Sequence, residues 1–119
     1  MKHGLSLMLL LMLFCSGCTS YSRTETIAMG YGISGQVADF TSTAVGITDA
    51  ELVEENPAFN WASNDTELLC ALGSYKVLLI VGTFFAGEIF PEQRKLLWGI
   101  VGTAGWVPAM WNCYQMSID

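Results

Sequence analysis

Residues 68–87 read "LLCALGSYKVLLIVGTFFAG". The run is apolar enough for lipid except at Lys76, and that lysine governs how the rest of the chain is read. Continued to Phe90, the segment is long enough to cross a bilayer, which takes about 20 residues of helix. Lys76 lies roughly 13 Å along such a helix, near mid-bilayer, too deep for its chain to reach the interface without strain. A charge at that depth costs at least about 2.5–3.5 kcal/mol and as a rule turns inward to a partner. Leu69, Gly73, Lys76, Ile80, Thr83 and Gly87 recur at intervals of three and four, so they share one helix face with the lysine.

The partner expected for Lys76 is Asp39. It lies in residues 26–47, "TIAMGYGISGQVADFTSTAVGI". Ala28, Gly32, Gly35, Asp39, Thr43 and Gly46 fall on one stripe of a helix, while Tyr31, Ile33, Val37, Phe40 and Val45 fall mostly off it. In lipid, small residues let backbones approach and polar side chains bond across the gap, so Gly32, Gly35 and Thr43 read as packing positions. The alternative is that the glycines and serines make 26–47 a loosely folded periplasmic segment. The first reading gives an Asp39–Lys76 ion pair inside the membrane, closed by the hydroxyl of Ser42 or Thr43. Such a pair more often pins two helices than performs chemistry.

A third apolar segment, residues 96–111, "LLWGIVGTAGWVPAMW", is expected to end near Pro108. Between it and residues 68–90 stands Pro91, flanked by Glu88, Glu92, Gln93, Arg94 and Lys95, which reads as a charged turn between antiparallel helices. Composition agrees. Of 119 residues 52% are hydrophobic and 13% charged, with a mean hydropathy of +0.43, whereas soluble domains carry about 25% charged residues. The expected fold class is therefore all-α, a small polytopic membrane helix bundle in which 68–90 and 96–111 span and 26–47 joins them.

Residues 1–18, "MKHGLSLMLLLMLFCSGC", read as an export signal: Lys2 is the basic start and Leu5 to Phe14 the apolar core. Ser16, Gly17 and Cys18 resemble the end of a bacterial lipoprotein signal, cut before a cysteine that then carries diacylglycerol. Cys15 stands where an aliphatic residue is usual. Simple cleavage near Gly17 and an uncleaved anchor are the alternatives. As a Cys-x-x-Cys pair, Cys15 and Cys18 lack the strand-to-helix setting of a redox motif and the further ligands of a zinc site. The chain thus divides into a signal peptide (1–17), a polar tether (18–25) and a membrane helical domain (26–119) with an acidic loop (48–67).

Cys70 and Cys113 lie equally far from the turn at Pro91, so in a helical hairpin they sit on the same side at similar depth. On an oxidising side they would form a disulfide; otherwise they are two free, buried thiols. Orientation is contested within the sequence. Arg94 and Lys95 put the turn in the cytoplasm, but an exported start puts the first residues of the mature chain outside. The two conflict if 26–47 is a full span.

The stretch "VADFTSTAVGITDAELVEENPAFNW" followed by "GSYKVLLIV" resembles a family of small, uncharacterised integral membrane proteins of three or four helices. Their pattern is an aspartate and threonines in one helix, a short Glu-x-Asn-Pro-type loop, and a lysine in the next helix. Asp39, Thr41 and Thr43 match the first element, Glu54, Asn56 and Pro57 the second, and Lys76 the third. The resemblance implies that 26–47 is a membrane helix and that Asp39 and Lys76 belong together. It implies no activity.

Several function classes are excluded. The net charge is −6 and the five basic residues are scattered, so no basic face exists for nucleic acid. His3 is the only histidine and leaves with the signal, which removes Ser-His-Asp, Cys-His and histidine–metal sites. No enzyme activity, cofactor or metal is expected. Asp49, Glu51, Glu54 and Glu55 do not have the spacing of a calcium loop and read as a solvated acidic loop. What is left is a small membrane-anchored accessory or interaction protein of the bacterial envelope, of host or phage origin. Its expected partners are the lipid bilayer and either copies of itself or another membrane protein. A holin-like pore-forming or transport subunit, or a lipoprotein working through residues 18–67, are the alternatives. The expected location is the bacterial cell membrane, lipid-anchored with an exported N-terminus.

Overall fold

The computed structural model describes residues 21–49 and 57–118, and what it describes is helical, with no strand among those residues. The expected signal peptide, Cys18, most of the tether, and Glu51, Glu54, Glu55 and Asn56 lie outside the described residues. Three long helices follow one another: α1 (Arg23–Asp49), α2 (Asp65–Ile89) and α3 (Arg94–Ile118). Short 3-10 turns at Pro57–Phe59 and Pro91–Gln93 precede α2 and α3.

Both of the first two helices begin with local side-chain caps. At α1 the Ser22 hydroxyl accepts from the Glu25 backbone N–H at 3.2 Å, and the Glu25 carboxylate accepts from the Ser22 N–H at 2.7 Å. This reciprocal arrangement is a capping box. At α2 the Asn64 side chain accepts from the Glu67 N–H at 2.8 Å, while Glu67 reaches back to the Ser63 N–H at 3.1 Å. Two orphan donors are satisfied at each end, which fixes where each helix starts.

The helices are longer than the sequence led us to expect, α3 most of all. Pro108 does not end it; the helix continues to Ile118 with the proline inside. Proline there removes the N–H that would bond the Ala104 carbonyl, yet Asn112, one turn on, donates to Thr43 at 2.9 Å and Ser42 at 3.2 Å and holds the last turns against α1.

Hydropathy separates the helices. Among the described residues one helix, Asp65–Ile89, is long and apolar enough to cross a membrane, with a mean hydropathy of 1.9 in its best window. Residues 96–111, expected as a shorter span, do not reach that level, because Gly99, Gly102, Thr103 and Gly105 dilute Leu96, Ile100 and Val101.

Two of those residues, Gly102 and Gly105, make the main contact of the fold. The small stripe of α1 meets α3 rather than α2. A Cβ on Gly35 would lie 2.5 Å from the Gly102 carbonyl oxygen, and one on Gly105 would lie 2.2 Å from the Gly35 carbonyl carbon. One on Gly32 would lie 2.5 Å from the Trp98 ring. The two backbones touch, and only glycine permits that approach. Trp98, fully buried, joins Phe84 of α2 and Val101 in a small apolar core. Helix α2 leans on this pair of helices. Its expected inner face is turned in: Thr83 and Gly87 are buried and Leu69, Gly73, Lys76 and Ile80 half-buried.

Candidate functional site

The structure brings Asp39 of α1 and Lys76 of α2 together as an ion pair, the lysine ammonium donating to Asp39 Oδ2. Both side chains are nearly enclosed, 13% and 12% exposed. Phe40, the next residue of α1, lies against Gly73 one turn before Lys76, where a Cβ would be 3.4 Å from its ring. This packing brings α1 and α2 together one turn before the lysine. The ring of Tyr75 is 5.6 Å from the ammonium and adds a weak cation–π contact on the outer side.

The hydroxyls expected to close this pair go elsewhere. Ser42 donates to the backbone carbonyl of Asp39 at 3.1 Å, and both Ser42 and Thr43 accept from Asn112 of α3. Their attraction to α3 follows from the helical repeat: three and four residues beyond Asp39, they share the stripe that faces α3. Gly32 and Gly35 lie at the α1–α3 contact, and Thr43 joins it through a hydrogen bond rather than by small size.

A polar line thus runs down the inside of the bundle. Gln36, only 1% exposed, donates to the Val101 carbonyl of α3 at 2.6 Å. Asp39 and Lys76 follow, then Ser42, Thr43 and Asn112. Gln36 and Asn112 were not singled out from sequence. Gln36 sits four residues after Gly32 on the stripe and was legible there; Asn112 lay beyond the expected end of its helix.

A third missed residue is Arg94. Sequence placed it in a charged turn, but it is buried, 6% exposed. Its Nε–H donates to the Gly87 carbonyl at 2.9 Å, and an Nη donates to Glu88 at 3.1 Å. Glu25 of α1 stands 4.0 Å away, and the guanidinium lies over the Tyr21 ring at 4.4 Å. Tyr21 in turn stacks on Phe84 with ring centroids 5.9 Å apart. Arg94 therefore ties the start of α1 to the turn between α2 and α3, and these sit at one end of the bundle.

Cys70 and Cys113 are both free and both exposed, so the disulfide considered from sequence is not formed in this structure. Counting from the turn fixes a residue's depth along a hairpin but not its rotation about the helix axis, and neither thiol is on a packed face. No group of three or more metal-binding side chains occurs among the described residues. Among the described residues the interior offers the Asp39–Lys76 pair, the Arg94 ion pairs and a set of hydrogen bonds between helices. Comparison of the chain with protein-family models, with curated proteins and with solved structures found no match.

Proposed function

We propose that this chain is a small integral membrane protein of the bacterial envelope, with all three helices in the bilayer, acting as an accessory or interaction subunit. The observation that carries the reading is a strongly apolar surface around an interior that buries polar groups as well as apolar ones. Gln36, Asp39, Ser42, Thr83 and Arg94 are buried, while Ile27, Val37, Val77, Leu78, Phe85, Ile100 and Val107, drawn from all three helices, are exposed. In water this surface would be an aggregation hazard. In lipid it is the expected order, with polar groups inside where they bond one another.

A role in interaction is supported by two outward glycines. A Cβ on Gly30 or Gly82 would meet nothing within 4 Å. Small residues on a lipid-facing surface let another helix approach. Inside the chain the α1–α3 contact leaves no space even for a methyl group, so a water path through a single copy, as a pore former would need, finds no support there. An export signal and a lipid on Cys18 fit the same reading, as does the resemblance to small integral membrane proteins, from which the lipoprotein-like start departs.

The test is membrane extraction followed by sizing. The protein should resist alkaline extraction, float with vesicles, and run in mild detergent as an oligomer or with a stoichiometric membrane partner. Recovery as a soluble chain without detergent would overturn the membrane assignment. A strictly monomeric, partnerless species in native membranes would overturn the interaction role alone.

A further inference from the structure

An open groove of about 760 Å³ runs along the outer side of α3 from Lys95 to Pro108, with Tyr31 of α1 on one bank. Its size is within the usual range of ligand pockets, roughly 300–1,000 Å³. Leu96, Ile100 and Val107 line it and are exposed. Over Gly99 there is open space: a Cβ there would meet nothing within 4 Å. The polar atoms within the groove are already engaged. The Tyr31 hydroxyl and Thr103 Oγ1 are 3.1 Å apart, and Thr103 donates to the Gly99 carbonyl at 2.9 Å. The groove therefore offers a ligand apolar walls and a single cation. That cation, Lys95, is exposed at the end next to the charged turn and makes no ion pair among the described residues, unlike its neighbour Arg94.

We propose that the groove holds one acyl chain of an anionic phospholipid, with the lipid phosphate at Lys95. The inference rests on the membrane reading above. Charge complementarity selects the head: a lysine beside the helix-end turn is where a phosphate at the membrane interface would stand. Length selects the tail. From Lys95 to Pro108 the helix rises about 20 Å, and one leaflet of the hydrocarbon core is about 15 Å deep, half of the ~30 Å total. A tail hanging from Lys95 would thus be covered along the whole leaflet. Glu25 of α1 feels the Lys95 charge from a distance but does not pair with it, so an uncharged lipid would leave the ammonium without a direct contact, and a packed helix would have to supply an acid at that depth.

The experiment is native mass spectrometry of the full chain released from mild detergent. Phosphatidylglycerol and phosphatidylcholine with identical acyl chains are supplied in equal amounts. Phosphatidylglycerol should be retained about five-fold over phosphatidylcholine, the effect of one basic residue at a membrane surface. Lys95→Gln should bring that ratio to about parity. Gly99→Leu, which points into open space and leaves the packing alone, should abolish retention of both lipids. Equal retention by the unaltered protein, or a preference that survives Lys95→Gln, would overturn the proposal. Lipid retention unchanged in Gly99→Leu while a dimer dissociates would overturn it in favour of a second copy in the groove. Flotation with phosphatidylcholine vesicles separates the two readings: a chain that stays soluble overturns both, and one that integrates without preference overturns only the groove.

Discussion

Lys76 of α2 donates to Asp39 of α1, 37 residues earlier in the chain, and this ion pair joins α2 to the two helices that glycine packs against each other. The pair is the strongest polar link between α1 and α2, and each charge answers the other's burial. Removing either one leaves an uncompensated charge inside.

Asp39→Asn and Lys76→Met, made singly, should each destabilise the fold by about 3 kcal/mol, read as a lowered unfolding midpoint in detergent. The exchange Asp39→Lys with Lys76→Asp should recover much of the loss. The apolar double variant Asp39→Leu with Lys76→Met should stand near the parent, because replacing a whole buried pair costs little. Single variants as stable as the parent would dismiss the pair as a structural element.

The glycine contact gives a steric prediction. Gly105→Ala and Gly35→Ala should each cost about 1–3 kcal/mol, since the added methyl would drive two backbones apart. Gly82→Ala, read on the detergent-separated monomer, is the matched control. It faces open space, and alanine is the better helix former by about 1 kcal/mol, so stability should hold or rise. Thermal unfolding of the three variants side by side decides the matter.

Arg94→Lys keeps the charge and loses the planar fork that reaches Gly87, Glu88 and Tyr21 together. The expected result is a protein destabilised by about 1–3 kcal/mol, with the start of α1 newly open to protease. A variant indistinguishable from the parent in both respects would show that Arg94 acts only as a charge.

Topology is readable from the two free thiols. Cys70 lies early in α2 and Cys113 late in α3, both away from the end held by Arg94. With an exported start to α1, that end is outside and the thiols are on the reducing cytoplasmic side, where free cysteines are the norm. A membrane-impermeant maleimide should therefore miss them in intact cells and label them after permeabilisation. Labelling in intact cells would invert the topology. The same preparation yields the intact mass, which should equal residues 18–119 with a diacylglycerol and an acyl chain on Cys18; an unlipidated full-length mass would remove the lipoprotein assignment.

Much of the helical pattern was legible because helix periodicity places side chains before any packing is known. The stripe through Gly32, Gly35 and Asp39 marked the inner face of α1, and the spacing around Lys76 marked that of α2. The stripe did not name its neighbour. Small residues advertise close approach, and Gly102 and Gly105 in α3 were the matching half, but hydropathy drew attention to α2 instead. Pro108 misled for a related reason. Its local cost is read from the sequence, whereas its compensation by Asn112 bonding to α1 is a tertiary fact. Arg94 looked like a solvated turn residue because nothing local shows that Tyr21 returns to cover it. The helix starts at Ser22 and Asn64 were written in Ser-x-x-Glu and Asn-x-x-Glu spacings, and there the signal was present but unread.

The closure of α1 on α3 also sets an order of events during synthesis. Residue 39 emerges first and residue 76 soon after, so a hairpin of the first two helices can neutralise its charges while the ribosome is still working. The glycine face of α1 has no such early companion. It waits for residues 98–105, the last third of the chain, and until they arrive it is bare. A chain cut short after the Pro91 turn would carry a satisfied ion pair and an unmatched helix face.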